Sequence, residues 1–204
     1  MKIFKKQKNI SNINSLKNRG FTLIETMVAV LILSTSLTSL LTLTSSSLFA
    51  AKYANNEITA NYLLQEAVDY IRNDRDSIVF QQRINGDLTS VSWNNFLNKY
   101  GYINSSCFSP NGCYLDITEQ TPLNVIRACA SPCTLMYFDP TAHYNEFYTY
   151  RPDFGTVSTF RRTITMSINP TNINELLVTV TVNWKNGNLS RSRSLNESIL
   201  NWQN

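Results

Sequence analysis

From Thr26 to Ala51 the chain carries no charged residue. Fifteen of these 26 residues are Ala, Val, Ile, Leu, Met or Phe, and the other eleven are Ser or Thr. Roughly 20 predominantly apolar residues suffice for a helix to span a bilayer. Serine and threonine hydroxyls can bond the carbonyl one helical turn back, so they do not forbid such a span. The segment before it holds Lys2, Lys5, Lys6, Lys8, Lys17 and Arg19 and no acid. Excess Lys and Arg on one flank keep that flank cytoplasmic, which places the chain beyond Lys52 outside. The same asymmetry explains the overall charge of +4, because the other 184 residues carry twelve cations against fourteen acids. Nucleic-acid binding therefore gains nothing from the basic average, since it needs cations clustered on a folded face. With 16% charged and 43% hydrophobic residues, disorder is excluded as the main state.

Three readings of the N-terminal segment compete. A secretory signal needs a shorter apolar core and a small-x-small cleavage site, which Leu48-Phe49-Ala50 fits poorly. A plain signal anchor has no use for Glu25, although an acid in a membrane segment is a functional candidate by default. The third reading accounts for both the acid and the Gly-Phe junction. Gly20-Phe21-Thr22-Leu23-Ile24-Glu25, followed by the apolar run Met27 to Leu33, resembles the processing motif of type IV prepilins and pseudopilins. The resemblance implies that a membrane aspartic peptidase, the prepilin peptidase, cuts between Gly20 and Phe21 and methylates the new amine of Phe21. It also implies that Glu25, then the fifth residue, neutralises the terminal amine of a neighbouring subunit and sets helix register. Bringing opposite charges together in low dielectric offsets the cost of burying either one. Thr42 stands where many major pilins carry a helix-kinking proline, and the twenty-residue leader is longer than the shortest in the family; both point away from a major, fibre-building pilin.

No Pro precedes Pro110 and no Gly lies between Phe21 and Ile84, so one helix is expected from Phe21 to about Ser77. Ala60, Leu64, Ala67, Val68 and Ile71 share one face of its outer half, as a core-facing stripe or as a groove for a foreign helix. Asn85-Gly86-Asp87 marks a turn. Trp93, Phe96, Leu97 and Tyr100 then repeat at helical spacing, with Ser92 as the cap and Gly101 as the stop. Strands are expected at Tyr114 to Thr118, Thr134 to Phe138, Glu146 to Tyr150, Phe160 to Ile168, Leu176 to Trp184 and Leu189 to Asn196. Asn186-Gly187 predicts a tight hairpin with Trp184 opposite Leu189, and Val182 and Val180 opposite Arg191 and Arg193. Those arginines must then snorkel, or a bulge must flip the register. The block from Phe160 to Gly187 is similar to the terminal strands of V-type minor pilins and of I- and J-type minor pseudopilins.

The expected organisation is thus α+β and pilin-like, a long N-terminal α-helix packed under a C-terminal antiparallel β-sheet. Its parts are a leader over 1–20, a membrane or filament-core half over 21–51, an amphipathic half over 52–80 and a globular domain over 81–204, with a cysteine-containing insertion at 101–134. Cys107, Cys113, Cys129 and Cys133 would face an oxidising compartment and read as two disulfides. Of three pairings, Cys107 with Cys113 and Cys129 with Cys133 each bracket a Pro-containing turn. A four-cysteine zinc site is the alternative, at spacings looser than the usual knuckle. His143 lacks a placed nucleophile and acid, which makes it a solvated loop residue rather than part of a triad. Asp139, Glu146 and Asp153 lack calcium-loop spacing. Tyr137, Phe138, Tyr144, Phe147, Tyr148 and Tyr150 form an aromatic cluster, read as sheet packing or else as an adhesive or DNA-binding surface.

The functional expectation is a minor type IV pilin, a structural and assembly subunit rather than an enzyme, with neither cofactor nor metal. The alternatives are a minor pseudopilin of a type II secretion system, a tip adhesin or DNA-uptake pilin, and a permanently anchored outer domain. Expected partners are the prepilin peptidase, other pilins through the N-terminal helix, an inner-membrane assembly platform and membrane lipid, with no nucleic acid in the leading reading. The expected location is the inner membrane with the C-terminal domain outside, then a surface pilus or periplasmic pseudopilus.

Overall fold

A computed structural model of the 204-residue chain describes residues 20–86, 89–103, 106–119, 125–139 and 147–202. It divides into two compact units, the first ending at Phe49 and the second beginning at Ala50. Helix α1 spans Leu23–Ile84. It therefore continues past the expected end near Ser77, because no Gly or Pro interrupts it and Val79 is still buried.

In the first unit α1 is exposed along its length from Leu23. Ten hydroxyls in this half, from Thr26 to Ser47, donate to carbonyls three or four residues back, as in Ser34 Oγ to the Val30 carbonyl at 2.8 Å. These ten side chains are thus satisfied within the helix, the condition for placing them in hydrocarbon. By length and composition α1 can cross a membrane.

In the second unit the outer half of α1 buries Ala60, Leu63, Leu64, Ala67, Val68 and Ile71. This is the expected stripe with Leu63 added, and its partner is the chain's own sheet core rather than a foreign helix. Each fully buried Leu or Ile contributes about 1.5–3 kcal/mol. Helix α2, Thr89–Lys99, adds Trp93, Phe96, Leu97 and Tyr100 to the same core. Ser92 is not its cap: the helix begins three residues earlier, and Ser92 is buried within it. Gly101, at φ 88°, ends α2 in a Schellman motif, with the Tyr102 N–H on the Leu97 carbonyl at 3.1 Å and the Gly101 N–H on that of Asn98 at 3.0 Å.

The main sheet is antiparallel, in the order β2-β1-β6-β7-β8. Its strands are β1 Cys113–Leu115, β2 Ile126–Ala128, β6 Arg161–Asn169, β7 Asn172–Asn186 and β8 Leu189–Leu200. A smaller sheet, β4-β3-β5, contains β3 Tyr137–Asp139, β4 Phe147–Thr149 and β5 Thr156–Val157. Strands β2 and β5 had no sequence signal, being only three and two residues long. The cysteine-containing segment is part of the main sheet, since β1 pairs with β6.

The hairpin register differs from the expected one. Its two-residue loop is Gly187-Asn188, so Trp184 faces Arg191, Val182 faces Arg193 and Val180 faces Leu195. Gly187 in that loop takes positive φ, at 62°, and moving the turn by one residue shifts every pair by two positions while keeping each side chain's face. The β7–β8 ladder runs without a bulge, and the arginines reach outward: Arg193 Nε meets Glu57 Oε2 at 2.9 Å, and Arg191 lies over the Tyr53 ring at 5.4 Å.

Candidate functional site

Gly20 and Phe21 lie outside the helix and are exposed, and nothing approaches within 4 Å of the place a Gly20 side chain would occupy. The Phe21 ring is 77% exposed. Extended, accessible backbone is what a protease needs at a scissile bond. Thr22 begins the helical hydrogen-bonding. Its carbonyl accepts the Glu25 N–H at 3.1 Å and its Oγ1 lies 3.4 Å from the same nitrogen. Thr22 is therefore the N-cap and Glu25 the third helical residue, the spacing of a capping box. A carboxylate in the first turn also faces the positive end of the helix dipole, a favourable contact of about 0.3–1 kcal/mol. Glu25 thus has a local reason to be acidic besides its expected role between subunits.

The four cysteines are bonded as Cys107 to Cys113 and Cys129 to Cys133. Both bridges brace the edge of the main sheet: the Cys129 N–H donates to the Gly112 carbonyl at 3.0 Å, and the Met166 N–H donates to the Cys107 carbonyl at 2.9 Å. Among the described residues no group of three or more His, Cys, Asp or Glu could hold a metal ion. His143, Tyr144 and Glu146 lie outside the described residues, while Asp153 is exposed in a short 3-10 turn, Pro152–Phe154. The described aromatics pack mostly on each other and on the core. Phe138 and Tyr148 have ring centroids 5.0 Å apart, Tyr148 and Phe160 5.4 Å, and Tyr114 and Tyr150 4.3 Å. Burial pushes the Tyr150 hydroxyl up to about 12 against the opposing pull of Arg162, and burial raises Tyr100 well above the ordinary tyrosine value.

Two polar centres were not singled out from the sequence. Arg162, 1% exposed, donates to the Leu63 carbonyl at 3.0 Å, the Leu115 carbonyl at 2.7 Å and Glu66 Oε2 at 2.5 Å. It joins α1, β1 and β6 at one point. Its inward parity with Ile164 and Met166 was the available signal, since an Arg at an apolar position of an alternating strand must find buried partners. The second is Asp116, buried after β1. It accepts from Thr118 Oγ1 at 2.6 Å and from the Tyr150 N–H at 3.2 Å, linking the two sheets. Both centres are structural.

Residues 15–41 match the prokaryotic N-terminal methylation motif. The match covers the junction, Glu25 and the first turns of α1. No curated protein and no solved structure matches the chain.

Proposed function

We propose that this chain, whose methylation motif makes it a type IV pilin-like precursor, is a minor pilin: a structural subunit cut between Gly20 and Phe21, methylated on Phe21 and assembled into a filament through α1. The reading is carried by one coincidence. The exposed Gly-Phe junction, an acid in the first helical turn and an uncharged span with self-satisfied hydroxyls occur within a single stretch that matches the motif. Before cleavage the chain sits in the inner membrane with its sheet domain outside. Cleavage removes six cations and creates an ammonium next to the Thr22 cap. In a low-dielectric bundle that ammonium is costly unless a carboxylate meets it, and Glu25 of a neighbouring copy or pilin supplies one. The prepilin peptidase, an assembly platform, other pilins and membrane lipid follow as partners. A continuous α1 through Thr42, together with the longer leader, supports a minor rather than a fibre-building role.

Mass spectrometry of the membrane-extracted protein tests this. The expected N-terminal peptide begins with N-methylphenylalanine at Phe21, and a chain retaining residue 1 sinks the proposal. In the same cells Glu25→Gln is expected to be cut and methylated yet absent from sheared filaments. Filaments with an undiminished share of the variant would remove Glu25 from assembly.

A further inference from the structure

Where the start of β6 meets the tip of the β7–β8 hairpin there is a cleft of about 460 Å³, large enough for a small ligand. Arg161, Lys185 and Arg191 line it from three different strands, together with Ser158, Trp184 and Ser190. No carboxylate lines it. Among the described residues none of the three cations forms an ion pair. Glu57, the acid this hairpin does engage, is held by Arg193; it also attracts Arg191, whose guanidinium rests on the Tyr53 ring. A guanidinium stacked on a ring keeps its in-plane N–H donors free.

Two donors here are buried without an acceptor. Trp184 is 2% exposed and its indole N–H has no hydrogen-bond partner, and the Arg161 Nε–H has none either. Buried donors are nearly always paired, and these two belong to residues that line a cleft with room for an acceptor. Every charged group presented to the cleft is positive, and its side-chain donors outnumber the two oxygens of a carboxylate. We infer that this cleft binds a tetrahedral oxyanion, a phosphate or sulfate group, held by Arg161, Lys185 and Arg191 with the Trp184 indole N–H as a directional donor. The site lies in the second unit and does not depend on the filament reading.

The full-length chain, labelled with ¹⁵N-tryptophan and purified in non-ionic detergent, gives one indole N–H resonance for each of Trp93, Trp184 and Trp202. The Trp184 signal is the one missing from Trp184→Phe. Sodium sulfate, sodium phosphate, glycerol phosphate and sodium acetate are titrated separately at constant ionic strength. Sulfate and phosphate are expected to shift the Trp184 signal saturably, with acetate about tenfold weaker. Tighter binding of glycerol phosphate than of inorganic phosphate assigns the group to an ester, and the reverse order to a free ion. Arg161→Gln with Lys185→Gln is expected to weaken binding about a hundredfold, or tenfold for each cation. If the double variant does not fold, the exposed Lys185→Gln alone carries the tenfold test. A Trp184 signal that stays fixed or drifts linearly, acetate binding as tightly as sulfate, or unchanged affinity in the cation variants overturns the assignment.

Discussion

Replacing Arg162 tests whether a buried guanidinium stabilises the outer domain or merely survives in it. Its hydrogen bonds to the Leu63 and Leu115 carbonyls are 3.0 and 2.7 Å long, and its pair with Glu66 is 2.5 Å. A hydrogen bond from a charged donor contributes about 1.5–3 kcal/mol. Against this stands the desolvation of the guanidinium, several kcal/mol, which can make an apolar substitute as stable as the ion. Glu66 decides little, because its side chain is 32% exposed and water can replace its partner. The two carbonyls decide more. Arg162→Met fills most of the space but leaves both without this donor, a net loss of about 2 kcal/mol once the relieved desolvation is set against two lost bonds. Arg162→Ala adds a cavity of several methylenes, for about 4 kcal/mol in all. At about 2–4 °C per kcal/mol for a chain of this size, melting followed by near-ultraviolet circular dichroism should fall by about 4–8 °C for Met and about 8–16 °C for Ala. Glu66→Gln should cost less than about 1 kcal/mol. The reasoning is refuted if Arg162→Met melts at or above the parent temperature, or if Glu66→Gln costs as much as Arg162→Met.

Gly112 holds φ +67°, and a Cβ there would stand 2.4 Å from the Ile164 carbonyl oxygen, so Gly112→Ala should cost about 2–4 kcal/mol, read as a lowered melting temperature with both disulfides intact by mass analysis. Tyr150 is neutral in the folded state up to about 12, above the ordinary value of 10.0, because packing against the core, where it is partly buried, desolvates it. A raised folded value means the stability it carries is complete below pH 10 and is lost as pH rises through about 12, since the unfolded chain releases the proton first. Tyrosinate absorbance should therefore show Tyr150 ionising only with alkaline unfolding, and Tyr150→Phe should move the alkaline midpoint upward.

The elements set by local pattern were legible before the fold was seen. The β7 alternation Val178, Val180, Val182, Trp184 places all four in the core, and Gly101 stops α2 because only a residue tolerant of positive φ closes a Schellman motif cheaply. The methylation motif was legible for the same reason, because Gly20 to Glu25 form one contiguous pattern inside the matched residues 15–41. What escaped depends on distant neighbours. β2 exists because Ile126, Arg127 and Ala128 complete the ladder of β1, and three residues carry no period of their own. The oxyanion cleft assembles Arg161, Lys185 and Arg191 from positions that look in sequence like ordinary strand-end charges, and only the closed sheet brings them round the Trp184 indole.

On the filament reading proposed above, the hydroxyl content of α1 bears on what the subunit must do. A permanent anchor gains from maximal apolarity, whereas a subunit that leaves the bilayer must give back the transfer energy of its span. Leu and Ile at a span centre favour insertion by about 0.3–0.6 kcal/mol each, so every replacement by Ser or Thr lowers the cost of withdrawal. The usual penalty for a hydroxyl in hydrocarbon is kept small because ten of them are already bonded to backbone carbonyls. The small side chains at Ser34, Thr35, Thr38, Ser39 and Thr42 also leave a shallow groove along α1, the kind of surface that lets helices approach closely when dispersion rather than hydrophobicity holds them. On the filament reading proposed above, a span built this way combines residence in the membrane with a lower cost of withdrawal and close packing against neighbouring helices. A leucine-rich anchor of equal length would meet only the first of these conditions.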